Sequence, residues 1–233
     1  MGREAAARIR VLAPKALVRF EKLDLANLAT VAAFARRLDD VGRPLDLLVN
    51  NAGVMALPRR RVTADGFEMQ LGTNYLGHFA LTGLLLPLLR ACRRPRVVQV
   101  SSLAHRFGQI RFDNLHGERG YRPWIAYSQS KLATLLFARE LQRRSDRHRW
   151  GLLSSAVHPG YAQTNLFANG RGHRSILALM HRLLGRVLSQ SAAAGAQPAL
   201  FAAVSESAAP GAFYGPDGLF ELSGRPAHVS SII

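Results

Sequence analysis

Cysteine is almost absent from this chain, with Cys92 the only one in 233 residues. No internal disulfide can form, and no zinc site built on several thiolates is available. A lone thiol suits a reducing compartment, so a cytoplasmic setting is expected. Lysine is scarce too: of 31 basic residues only Lys15, Lys22 and Lys131 are lysines, and the rest are arginines. With 15 acidic residues the formal charge is +16. The arginines are scattered in short clusters at 59–61, 93–96 and 143–149. Nucleic-acid binding calls for basic residues on one face with interleaved aromatics, a pattern the sequence does not display. A solvated basic surface is the favoured reading, and weak attraction to phosphate-rich ligands or anionic membranes stays open. Long apolar runs are missing as well. Phe79 to Leu89, the longest mostly apolar stretch, is about half of the roughly 20 residues that a membrane-spanning helix needs. MGREAAARIR has no apolar signal-peptide core. A soluble or at most peripheral protein without a transmembrane segment is expected.

What remains is an ordinary globular composition, 48% hydrophobic, in a chain long enough for one large domain over residues 1–233. Strand-like and helix-like segments alternate, which predicts an α/β doubly wound, mostly parallel sheet of Rossmann-like form. Ala16–Leu25 reads as a strand ending in an acidic residue. Asn27–Leu38 reads as a helix with Asn27 as N-cap. Leu45–Val49 reads as a buried strand stopping at Asn50-Asn51-Ala52-Gly53. Helical spacing runs over Phe67–Leu89 and Trp124–Arg144, with strands at Val97–Val100 and Leu152–Val157. A basic amphipathic helix is expected near Ser175–Leu188, a further helix at Ser191–Val204, and a last short strand at Ala212–Tyr214. Three strands end in chemically useful groups: Asn50-Asn51, Ser101-Ser102 and His158-Pro159-Gly160. In such sheets ligands bind beyond the carboxyl ends of the strands.

Tyr127 and Lys131 are spaced i, i+4, so a helix carries them on one face. An ammonium beside a phenol favours the phenolate, which would make Tyr127 a usable general acid/base. Taken alone this spacing is common on amphipathic helices. Ser102 closes the preceding strand, where its hydroxyl can orient a substrate oxygen against Tyr127. Asn74 sits in a helix-patterned run, where an asparagine competes for backbone bonds. A buried Asn74 could kink that helix and hold a water next to Lys131. An exposed, inert Asn74 is the alternative.

Together these pieces resemble the short-chain dehydrogenase/reductase family. The motifs are Asn50-Asn51-Ala52-Gly53, Asn74, Ser102, Tyr127-x-x-x-Lys131 and Pro159-Gly160, in that order. DGFEMQLGTNYLGHFALTGLLLP, RVVQVSSLAHRFGQIRFDNL, AYSQSKLATLLFARELQRR and AVHPGYAQTNL are similar to its retinol-dehydrogenase-like branch. The resemblance implies an oxidoreductase that interconverts a hydrophobic alcohol and carbonyl with NADP or NAD. It implies Tyr127 as acid/base, Lys131 as pKa modulator and ribose ligand, Ser102 as substrate orienter and Asn74 as holder of the relay water. It further implies that Asp24 and Leu25 meet the adenine, that Asn50, Ala52 and Gly53 line the cofactor, and that Pro159, Gly160 and Thr164 surround the nicotinamide. Asn51 is expected to tie neighbouring strands. A homodimer or homotetramer is common in the family.

The pattern also breaks. No glycine-rich turn opening a helix precedes the Asp24 segment, and MGREAAARIR is similar to the helix that follows the family's second strand. The first βαβ unit, with the turn that cradles the pyrophosphate, is therefore expected to be missing from these residues. The Leu45–Val49 strand would then present an apolar edge. Either the chain folds poorly or Ala16–Leu25 moves in to pair there. The 175–188 helix suits a hydrophobic lid, plain packing, a dimer face or a membrane-surface helix. An inactive member that cannot hold a dinucleotide and a basic scaffold for anionic partners stay open beside the enzyme.

Overall fold

The computed structural model describes residues 2–161 and 190–231. Among them, the elements run α1 (Gly2–Leu12), α2 (Leu28–Val41), β1 (Leu47–Asn50), α3 (Gly77–Arg90), β2 (Arg96–Val100), α4 (Pro123–His148), β3 (Leu153–Val157), α5 (Ala192–Val204), β4 (Phe213–Pro216) and β5 (Pro226–His228). The sheet order is β1-β2-β3-β4-β5, with the first four strands parallel and β5 antiparallel to β4. The expected doubly wound, Rossmann-like sheet is formed. No helix among the described residues is long and apolar enough to cross a membrane.

The strand alternation explains the layers. On β2, Val97 packs with Leu89, Leu141 and Leu152 on the α3/α4 face, whereas Val98 packs with Ala202 and Ala203 of α5 on the other. α2 does not touch the sheet broadly. It lays Val31 and Ala35 on Leu81, Leu85 and Leu88 of α3. Local signals set its ends: Asn27 Oδ1 accepts from the N–H groups of Ala29 and Thr30, and Gly42 closes it in a left-handed conformation at φ 66°. α4 starts with Pro123 in its first turn, where a missing N–H is harmless.

Ala16–Leu25 is not a strand, and it does not pair with β1. A strand is held by its ladder, and no described strand lies beside this segment. Its end is anchored in the core. Leu25 is buried, and a Cβ on Gly77 would lie 2.5 Å from the Leu25 carbonyl oxygen. Glycine therefore lets the start of α3 meet that backbone. β1 forms a sheet edge among the described residues, and its Val49 is exposed. β5 had no expectation in the sequence. The expected helix at 175–188 and Thr164 lie outside the described residues.

Candidate active site

Parallel register lines up the carboxyl ends of the first three strands: Asn50 opposes Gln99, and Val100 opposes Val157. Asn50, Ser101-Ser102 and His158-Pro159-Gly160 therefore share one edge of the sheet. α4 crosses behind that edge, and two reciprocal bonds stitch it to β2. Ser101 Oγ donates to the Lys131 carbonyl at 2.7 Å, and Lys131 Nζ donates to the Val100 carbonyl at 2.8 Å. Lys131 is buried, and that loss of water pushes its pKa down from 10.5 to about 8. No carboxylate forms an ion pair with it among the described residues.

Tyr127 lies one helical turn before Lys131 and is also buried. The Lys131 ammonium sits 5.8 Å from the centroid of its ring, and Trp124 packs edge-on at 5.9 Å. The Ser102 hydroxyl lies close enough to the phenol to favour its ionised form, at the place where the end of β2 meets α4. Ser102 is itself extended and accepts from the Ala104 N–H at 3.2 Å, capping the turn Leu103–Phe107. The phenol departs from expectation in one respect. Burial pushes its pKa up, the Ser102 hydroxyl pulls the other way, and the ammonium does not lower it. The reason is that desolvation of the phenolate dominates while the lysine's hydrogen bond is directed to Val100.

Asn74 is buried and does interrupt its helix. The segment runs from Met69–Leu71 through a π turn, Gly72–Leu76, into α3. Such turns concentrate at functional sites. The Asn74 side chain accepts from the Val54 N–H at 2.8 Å and donates to the Val54 carbonyl and to Ser130 Oγ, both at 2.9 Å. Asn74 thus clamps the chain just after Gly53, much as a strand neighbour would. A Cβ on Gly53 would lie 2.9 Å from Asn74 Oδ1 and 3.7 Å from Lys131 Nζ, so Gly53, Asn74 and Lys131 converge. His78 Nδ1 and Thr134 Oγ1 approach the Asn74 carbonyl at 3.1 and 3.3 Å.

The remaining residues are placed as follows. Asn50, not Asn51, is buried and reaches across to α3, donating to Thr82 Oγ1 at 2.9 Å. Asn51 and Ala52 are exposed at the strand end. Asp24 Oδ1 accepts from the Ala26 N–H at 2.9 Å, and the Asp24 carbonyl accepts from Thr30 Oγ1 at 2.6 Å. That turn holds Asp24 and Leu25 at the head of α2. Gly160 adopts φ 63°, and the Pro159 carbonyl accepts from Gln190 Nε2 at 2.6 Å.

Several supporting groups escaped the sequence reading. Ser130 and Thr134 lie three and seven residues after Tyr127, on the inward face of α4. Hydroxyls at that spacing were a readable signal. Glu221, which meets His158 Nε2 at 3.0 Å from 63 residues away, left none.

The short chain dehydrogenase family model matches residues 2–175. Mouse polyprenol dehydrogenase is 44% identical over 208 residues, covering 88% of this chain and 61% of that protein. Human retinol dehydrogenase 12 is 43% identical, covering 90% of this chain and 64% of its own length. The chain thus spans about three fifths of the curated relatives it matches. The crystal structure of an uncharacterised protein from Mycobacterium paratuberculosis superposes with a TM-score of 0.76 at 40% identity, over 99% of this chain and 73% of that one. An NADPH-bound carbonyl reductase from chicken fatty liver shares the fold at TM-score 0.61 and 20% identity, over 90% of this chain and 78% of that one. By sequence, fold and motif order, this chain belongs to the short-chain dehydrogenase family, on its retinol-dehydrogenase-like branch.

Proposed function

We propose that this chain carries the proton-relay site of an NAD(P)-dependent oxidoreductase that interconverts a hydrophobic alcohol and its carbonyl. The observation behind the proposal is Lys131. A buried ammonium without a carboxylate partner is costly, and such groups concentrate where chemistry uses them. This one is held by a bond to the Val100 carbonyl beside Gly53, Asn74 and the Tyr127 ring.

The residues fit the nicotinamide end of a dinucleotide. Gly53 offers bare backbone beside Asn74 and Lys131, and Gly160 lies beyond the end of β3 on the same sheet edge. Asn50, Ala52 and Gly53 would line the cofactor on one side, and Pro159 and Gly160 on the other. Asp24 and Leu25 would meet the adenine. The family's glycine-rich phosphate turn has no counterpart among the described residues.

The nicotinamide, when bound, supplies or accepts the hydride. Tyr127 gives its phenolic proton to the carbonyl oxygen in reduction, or takes one from the hydroxyl in oxidation. Ser102 hydrogen-bonds the same oxygen and fixes its distance from the phenol. Lys131 binds the ribose hydroxyls, and burial keeps the Tyr127 phenol in its protonated form, ready to donate. Asn74 holds the relay water near Lys131 while its side chain braces the π turn. The branch resemblance leans to NADP, and the retinol and polyprenol named for the relatives favour a hydrophobic substrate.

Tyr127→Phe tests the proposal, because it keeps the ring packing and removes the proton. NADPH oxidation with a retinoid or long-chain aldehyde is expected to fall by roughly 10²–10⁴-fold, with cofactor binding by fluorescence retained. A wild-type chain that shows no saturable NADPH or NADH signal at millimolar cofactor would overturn the reading and favour the inactive family member.

A further inference from the structure

We infer that Glu221 is a positioning residue for the Pro159–Gly160 loop, acting through His158 and coupling that loop to the turn that begins at Ser102. The inference deepens the oxidoreductase reading, because both segments follow neighbouring strand ends on the sheet edge that carries the candidate site.

The side chains form a continuous chain of bonds. His158 ends β3 fully buried, with its ring 5.2 Å from that of Phe213. Its Nδ1 accepts from the Gly160 N–H at 3.2 Å, and its Nε2 lies 3.0 Å from Glu221 Oε2. A single tautomer satisfies both bonds: bare Nδ1 as acceptor and Nε2–H as donor. Burial pushes the His158 pKa down to about 4, so the ring is neutral and can hold that tautomer near neutral pH. The other Glu221 oxygen, Oε1, accepts from Arg106 Nη2 at 2.6 Å. Arg106 belongs to the Leu103–Phe107 turn that Ser102 caps, and it also donates to the Ser230 carbonyl at 3.2 Å. One carboxylate therefore bridges the Ser102 turn and, through one imidazole, the Gly160 amide.

The backbone is arranged to keep this bridge in register. The Tyr161 N–H donates to the Leu222 carbonyl at 2.8 Å, so the residue after Glu221 also grips the loop. Gly160 is left-handed, and a Cβ there would run into the same Leu222 carbonyl. Gly215 is bare where the His158 ring lies against it. Phe220 and Glu221 are themselves left-handed at φ 52° and 57°. Non-glycine residues hold that conformation only where the surroundings over-determine it. Here the two Glu221 bonds and the Leu222 contact supply the constraint. A plain surface staple would need neither a buried imidazole nor consecutive strained residues.

The test uses the full chain and two variants. Glu221→Gln is isosteric, yet it keeps one acceptor oxygen where the carboxylate offers Oε1 to Arg106 and Oε2 to His158. Arg106→Met removes the far end of the bridge without touching the loop. In both, hydrogen exchange at Gly160 and Tyr161 is expected to quicken by at least about fivefold, while β2 and β3 amides keep their protection. In both, KM for NADPH is expected to rise about tenfold with kcat changed less than about threefold. Glu221→Asp, which keeps both acceptors, should lie between wild type and Glu221→Gln. Unchanged exchange at Gly160 in Arg106→Met, or acceleration spread evenly over the sheet, would overturn the coupling. The exchange readout stands without turnover, so an inactive wild type would remove the oxidoreductase reading and leave this inference to be judged by itself.

Discussion

Replacing Lys131 by methionine should stabilise the folded chain near neutral pH while abolishing turnover. Burial lowers the lysine pKa from 10.5 to about 8, so the folded state binds this proton less tightly than the unfolded chain does. Each pKa unit corresponds to about 1.4 kcal/mol, which makes the penalty about 3 kcal/mol when fully expressed. The sign follows from the depressed pKa of a base. Below about pH 8 both states are protonated and the full penalty is present; it fades as the folded lysine deprotonates on the way to about pH 10.5. Methionine fills similar apolar space but loses the bond to the Val100 carbonyl, a loss of about 1 kcal/mol. The net gain near pH 7 is then about 2 kcal/mol. Urea unfolding followed by far-ultraviolet circular dichroism, near pH 7 and near pH 9.5, measures it. Wild type should gain stability between the two conditions, and Lys131→Met should gain little. A variant less stable than wild type near neutral pH, or a wild type with no such rise, would refute the reasoning. The same variant should lose the ribose contact and the proton relay. Stability and activity would then move in opposite directions, as expected of a strained functional group.

Two further outcomes follow from buried polar groups. Asn74→Ala removes three hydrogen bonds and strands the Val54 amide and carbonyl, so it should cost about 3–5 kcal/mol in urea unfolding; a loss below about 1 kcal/mol would show that the π turn does not depend on this clamp. His78 and His158 are each pushed down from 6.5 to about 4, chiefly by burial. The unfolded chain therefore takes up protons first, and stability should fall between about pH 6.5 and about pH 4 by up to about 3 kcal/mol per histidine. His158→Gln should flatten that slope, and a wild-type stability profile already flat across the window would contradict the burial argument.

Local chemistry made much of the site legible. The Tyr127–Lys131 spacing needs only a helix, and the periodicity of Trp124–Arg144 supplied one; the structure extends it to Pro123–His148. Asn27 caps α2 through its own side chain. The polar ends of the apolar runs fall on one edge of the sheet, because a parallel sheet places all its carboxyl ends together. These are short-range properties, fixed by neighbours within a few residues. The tertiary structure decided what depends on distant partners. Ala16–Leu25 has strand-like residues, but a strand exists only in its ladder, and no described strand is beside it. Which asparagine of the Asn50-Asn51 pair is buried depended on Thr82 of α3. Lys131 looked like a modulator of Tyr127. Its burial instead made both groups pay for lost water, so the phenol rises and the ammonium falls. The bridge from Ser102's turn through Glu221 to His158 joins residues more than 60 positions apart, a separation at which sequence carries no periodicity and only packing can bring a carboxylate to an imidazole.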